Sequence, residues 1–75
     1  GYVRTPLLEG QIADLARTQS IGVEEVLEKI ILEQAAIKRL IEPEEVASLA
    51  MFLASDIARS VTGAAYTIDS GWTAR

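Results

Sequence analysis

Hydrophobic and polar positions alternate along the chain in three stretches of helical spacing, followed by one short apolar run. Leu8, Ile12 and Leu15 recur at intervals of four and three, which places them on one helical face. Thr5-Pro6 predicts the start of that helix. Threonine is a good N-cap, and proline at the first helical position has no N–H to leave unpaired. Polarity rises from Arg17 to Ser20, and Gly22 predicts the break. A second helix is predicted after Gly22, with Val23, Val26, Leu27, Ile30 and Ile31 as a wide apolar stripe. Ile21 and Val26 are spaced for a hydrophobic staple, and Glu25 and Lys29 for an i,i+4 pair. Its pattern weakens after Ala36, which puts Lys38-Arg39 in or near the last turn.

A third helix is predicted from Pro43, with Glu42 before it and Glu44-Glu45 in a first turn that favours negative charge. Val46, Leu49, Ala50 and Leu53 mark one face and Phe52 widens it. Ala47, Ala50 and Ala54 keep the helix slim enough to pack closely on another layer. A polar stretch from Asp56 ends at Gly63. Ala64 to Asp69 then reads as a buried strand, on the β-propensity of Tyr66, Thr67 and Ile68 and the stop at Ser70-Gly71. The chain offers that strand no partner, although a buried strand needs a ladder for its backbone groups. The expected class is therefore a helix-rich α/β fragment, three helices and then one C-terminal strand. The strand would join a sheet supplied elsewhere or pair with another copy; otherwise it is not a strand.

Composition narrows the chemistry. At 75 residues one small domain fits, so residues 1–75 are expected to be a single partial domain. The chain has no Cys and no His, which removes disulfides, the usual zinc ligands, the thiol nucleophile and the commonest general base. A net charge of -4 argues against nucleic acid as a partner. Apolar residues make up 49%, too many for a disordered chain. The longest nearly apolar stretch, Val46 to Ala54, is about half of what a bilayer crossing needs. No basic segment leading into an apolar one opens the sequence, so a cytoplasmic location without membrane contact is expected. The glutamates at 24, 25 and 28 and at 42, 44 and 45 read as solvated first turns, not as metal sites. No metal ligands are expected.

The ordered motifs resemble the C-terminal segment of the short-chain dehydrogenase/reductase family. Gly1-Tyr2-Val3-Arg4-Thr5-Pro6 looks like the family's stretch after its sixth sheet strand. Pro43-Glu44-Glu45-Val46-Ala47 and Phe52-Leu53-Ala54-Ser55-Asp56 look like its last long helix. Thr62-Gly63 and Ile68-Asp69-Ser70-Gly71-Trp72 look like its last strand and turn, although Ser70 departs from the usual Asp-Gly-Gly. Thr5-Pro6-Leu7-Leu8 with Gln11-Ile12, the two-helix insert up to Lys38, and the ending Gly71-Trp72-Thr73-Ala74-Arg75 resemble the branch that oxidises 3-hydroxybutyrate with NAD.

The resemblance implies the tail of a Rossmann-type doubly wound parallel sheet. Residues 1–41 would be the cofactor turn and substrate-lid helices, and 42–75 the last helix, last strand and interface tail. It implies that Val3 and Thr5 hold the nicotinamide carboxamide, with Thr5 free to serve as N-cap as well. It implies that Gln11 donates to a substrate carboxylate, where the plainer reading is a solvated surface glutamine. It implies that Trp72 closes a neighbour's substrate pocket, where the plainer reading is a tryptophan capping the core or an interface. Tyr66 reads as core. The complete enzyme would be a homotetramer binding NAD and a small 3-hydroxy or 3-oxo acid. This chain carries no catalytic residue of the family: Pro6 and Ser70, not lysines, stand four residues after Tyr2 and Tyr66. Its glycines at 1, 10, 22, 63 and 71 are too spread for a dinucleotide fingerprint. Alone it is expected to be inactive and to bind no NAD; as a stand-alone product it would be a mainly α homo-oligomer, a dimer or tetramer without catalysis.

Overall fold

The structure, a computed structural model, describes residues 1–74. Helix α1 spans Pro6–Thr18. Helix α2, Val23–Val26, runs without a break into a π-helical turn, Leu27–Ile31. Helix α3 spans Pro43–Ala54, and a 3₁₀ turn covers Asp56–Ala58.

Local chemistry sets the starts of α1 and α3. The Thr5 hydroxyl accepts the Leu8 N–H at 3.2 Å, filling one of the amide vacancies at the start of a helix. Glu42 stands in extended conformation before Pro43, and its N–H donates to Glu45 Oε2 at 2.7 Å. Replacing Thr5 by Ala is expected to cost about 1 kcal/mol, with Ser restoring most of it. Thermal unfolding followed by circular dichroism measures both.

Helix α1 stops before the break predicted at Gly22. Ser20, not a glycine, takes the left-handed conformation at φ 55°. The Ile21 N–H reaches the Ala16 carbonyl at 3.0 Å and the Ser20 N–H reaches Arg17 at 3.4 Å. This is a Schellman closure, in which the residue after the left-handed position packs back on the helix. Ile21 meets the core there together with Ala16, and Val26 beneath them is 0% exposed.

The second helical segment ends at Ile31, five residues short of Ala36. The Leu32 N–H bonds to the Leu27 carbonyl at 2.7 Å, one residue further back than an α-helix uses. Lys38 lies outside the helix, yet its Nζ donates to the Leu32 and Glu33 carbonyls at 2.9 Å each. The cation thus satisfies carbonyls at the negative end of the helix, from the loop.

The core lies between α1, the second helical segment and residues 32–40. Leu8, Ile12, Val26, Ile31, Leu32, Ala35 and Leu40 form it, with Leu15, Ala16, Ile21 and Leu27 against its edge. A parallel bridge from Val3 to Ile41 closes its base. Helix α3 buries none of its residues. Met51 is 74% exposed, and Ile57 just beyond is 86% exposed. The radius of gyration is 15.5 Å, against about 11 Å for a compact domain of this length. The excess reflects α3, which extends away from the core instead of packing on it.

The expected strand at Ala64 to Asp69 does not form, and the α/β class is corrected with it. The described residues are helix-rich and contain no sheet; their only β pairing is the Val3–Ile41 bridge. Residues 64–67, with Tyr66 among them, are exposed, so Tyr66 is not core. Residues 62–68 make no hydrogen bond among the described residues. The physical reason is the missing ladder: no second strand among the described residues faces this segment, and its amides and carbonyls are left to solvent. The doubly wound parallel sheet falls with it.

Candidate cofactor and substrate site

The first five residues are held in one geometry by the segment that follows the core. The Ile41 N–H donates to the Tyr2 carbonyl at 2.9 Å, and the Arg4 N–H donates to the Ile41 carbonyl at 2.8 Å. These bonds bracket Val3 without using its amide groups. The Val3 N–H and C=O make no hydrogen bond among the described residues, and they belong to the opposite edge of the extended segment. A donor and an acceptor therefore stand side by side, two residues before the half-buried Thr5. That set matches a primary carboxamide, which offers one acceptor oxygen and two N–H donors.

Charged side chains fasten the same segment. Arg4 donates to Glu42 at 2.8 Å and to Glu9 at 3.4 Å. Arg39 makes a two-pronged pair with Glu45, at 2.8 and 3.0 Å. The Glu45 carboxyl is pulled from its usual 4.5 down to about 2, first by Arg39 and then by the Glu42 amide. A carboxyl whose pKa falls on folding contributes stability that is whole above its unfolded pKa and vanishes as the pH drops through the folded one. The start of α3 is therefore expected to loosen between about pH 4.5 and about 2. In Glu45→Gln that part of an acid titration of helix content disappears.

The tail approaches the same place. The Trp72 ring stands edge-on to Tyr2, with centroids 5.8 Å apart and planes at 70°. Its turn is organised by Asp69. Oδ1 accepts the Gly71 N–H at 2.9 Å, while Oδ2 accepts the Thr73 N–H at 3.0 Å and the Thr73 hydroxyl at 2.7 Å. Those bonds, the Thr73 hydroxyl foremost, hold the Asp69 carboxyl below the usual range. The Ile37 N–H donates to the Ser70 carbonyl at 2.9 Å and docks the turn on the loop after the core.

Of the residues singled out in the sequence, Val3, Thr5 and Trp72 fall in one region, Trp72 through its contact with Tyr2. Gln11 does not join them. It is exposed on α1, beside the buried Ile12, and lines neither of two clefts among the described residues. The larger of these, about 590 Å³, is lined by Arg4, Lys38, Arg39, Glu24, Glu28 and three leucines, and includes none of the four. Trp72 meets its own chain's Tyr2. Reasoning from sequence weighs Tyr2 only as a catalytic tyrosine and sets it aside; its available signal for this contact is an aromatic side chain next to Val3. Among the described residues no group of three or more acidic side chains is placed to hold a metal ion. Among the same residues no helix is long and apolar enough to cross a membrane.

A family model described as Enoyl-(Acyl carrier protein) reductase matches residues 7–73. The chain is 48% identical over its whole length to D-beta-hydroxybutyrate dehydrogenase of Rhizobium meliloti. It is 37% identical to D-beta-hydroxybutyrate dehydrogenase of Cupriavidus necator. An uncharacterized oxidoreductase of Bacillus subtilis, YxjF, is 43% identical. All 75 residues align in each case, and they span 29% of each relative's length.

Proposed function

Since this chain belongs to the short-chain dehydrogenase/reductase family of oxidoreductases, we propose that it serves a cytoplasmic, NAD-dependent dehydrogenase of small 3-hydroxy acids. Its share would be the cofactor turn, a substrate lid and a subunit interface. The observation that carries this reading is the unpaired N–H and C=O of Val3, held in place by the bonds on either side. Val3 would pair with the carboxamide of the nicotinamide, and the Thr5 hydroxyl would add a third contact. The nicotinamide, when bound, accepts or delivers the hydride. Helix α1 and the segment after it would form the lid. Its ends meet at the Val3–Ile41 bridge. The Gln11 side chain, exposed on α1 and without a hydrogen bond among the described residues, is open to a substrate carboxylate. An uncharged donor recognises that group without burying a cation. Trp72 would wall the substrate pocket. Helix α3, with its uncovered apolar side, would meet other subunits of a tetramer.

The test is expression of the reading frame that contains these residues, with any coding sequence in frame before Gly1. NAD reduction is then followed with (R)-3-hydroxybutyrate. Turnover is expected, with none from the 75 residues alone. Gln11→Ala is expected to raise KM for the acid roughly tenfold and to leave KM for NAD in place. A frame that reduces no NAD with any 3-hydroxy acid would refute the reading.

The exposed face of α3 favours a second reading, a non-catalytic helical oligomerisation module. Light scattering on the isolated chain at two concentrations separates the two. A stable dimer or tetramer supports the module, whereas aggregation supports a segment that needs the rest of its enzyme.

A further inference from the structure

We infer that Asp69 is a positioning residue, whose carboxylate shapes the 69–74 turn so that the Trp72 indole stands against Tyr2, one residue from Val3. The inference rests on the proposed role of Trp72 in the substrate pocket. Asp69 accepts hydrogen bonds from the residues on both sides of Trp72. The Gly71 N–H bonds to one carboxylate oxygen and the Thr73 N–H and hydroxyl to the other. The Asp69 backbone carbonyl accepts the Trp72 N–H itself at 3.1 Å. The indole is thus carried by a loop closed around one side chain.

The turn is not one the backbone adopts unaided. Ser70 and Gly71 are both left-handed, at φ 56° and 82°. Serine has no intrinsic preference for that region, so the conformation needs support from the bonds around it. Packing fixes where the turn sits. Gly1 lies so close to Asp69 that a Cβ there would come 2.8 Å from the Asp69 Cα. On the other side a Cβ at Gly71 would come 2.6 Å from the Ala36 Cβ. With the turn wedged between these contacts, the carboxylate decides which way the next side chain projects. Without it the 69–74 loop opens and Trp72 leaves Tyr2.

Two measurements test this together. Trp72 is the one tryptophan of the 75-residue chain, so its near-UV dichroism and its quenching by acrylamide report directly on the contact. Asp69→Ala is expected to abolish the near-UV band and expose the indole while far-UV helix content stays. In the enzyme expressed from the containing frame, the same substitution is expected to raise KM for the hydroxy acid roughly tenfold, with kcat and KM for NAD nearly unchanged. Thr73→Val, which removes only the hydroxyl, is expected to give a weaker version of both. It carries the test if Asp69→Ala fails to fold. Variants that leave the band intact would overturn the inference. If Trp72→Ala raises KM for the acid but Asp69→Ala does not, the positioning role falls and the pocket reading stands. If neither raises it, both fall.

Discussion

Ile12→Ala is expected to unfold most of the chain at 25 °C. Ile12 is 4% exposed and sits where α1 meets the second helical segment. Truncating a buried isoleucine removes transfer energy and leaves a cavity, at a cost of about 2–5 kcal/mol. A core of this size holds only a few kcal/mol in all. Nothing outside the core takes up the loss, because α3 packs no buried side chain against it. Far-UV dichroism at 222 nm, read in parallel with urea titration, is the check. Gln11→Ala, one position away but exposed, is expected to change the unfolding free energy by no more than about 0.5 kcal/mol. Equal effects at the two positions would contradict the placement of the core.

The second large effect is expected at Gly71. Its φ of 82° lies in the left-handed region, and a Cβ would meet the Ala36 Cβ at 2.6 Å. Both partners are backbone-anchored, so neither rotates away. For Gly71→Val the backbone strain alone is about 1–3 kcal/mol, and the overlap adds about as much again. The two costs fall on the tail, not on the core. Gly71→Val is therefore expected to release Trp72 from Tyr2 while helix content survives. Tryptophan emission would shift to the red with no loss at 222 nm. Loss of both signals at one denaturant concentration would mean that the tail and core form one cooperative unit.

These two substitutions mark the line between what was legible in the sequence and what was not. The core face of α1 could be read because its spacing is a property of thirteen neighbouring residues. The starts at Thr5-Pro6 and Glu42-Pro43 were legible for the same reason, since capping is decided within one turn. The end of the second helix was not. Residues up to Ala36 continue a helical pattern, but the π turn at Leu27–Ile31 and the reach of Lys38 to two carbonyls end it sooner. The strand at Ala64 to Asp69 failed for the opposite reason. Its residues suit a strand, but a ladder requires a partner that no local pattern supplies. In the site, Val3 and Thr5 were marked by a motif of six residues. The contact of Tyr2 with Trp72 joins opposite ends of the chain, and only the folded tail brings it into view.

The central claim is that the backbone of Val3 is presented, unpaired, to the carboxamide of a nicotinamide. The most direct measurement is the amide resonance of Val3 in ¹⁵N-valine-labelled protein from the containing reading frame, with NAD added stepwise. The expected result is a large downfield shift of Val3 as its N–H gains an acceptor, lost when the carboxamide is replaced by a hydrogen in the pyridine analogue of the cofactor. A Val3 resonance that stays in place while NAD binds elsewhere on the protein would contradict the account.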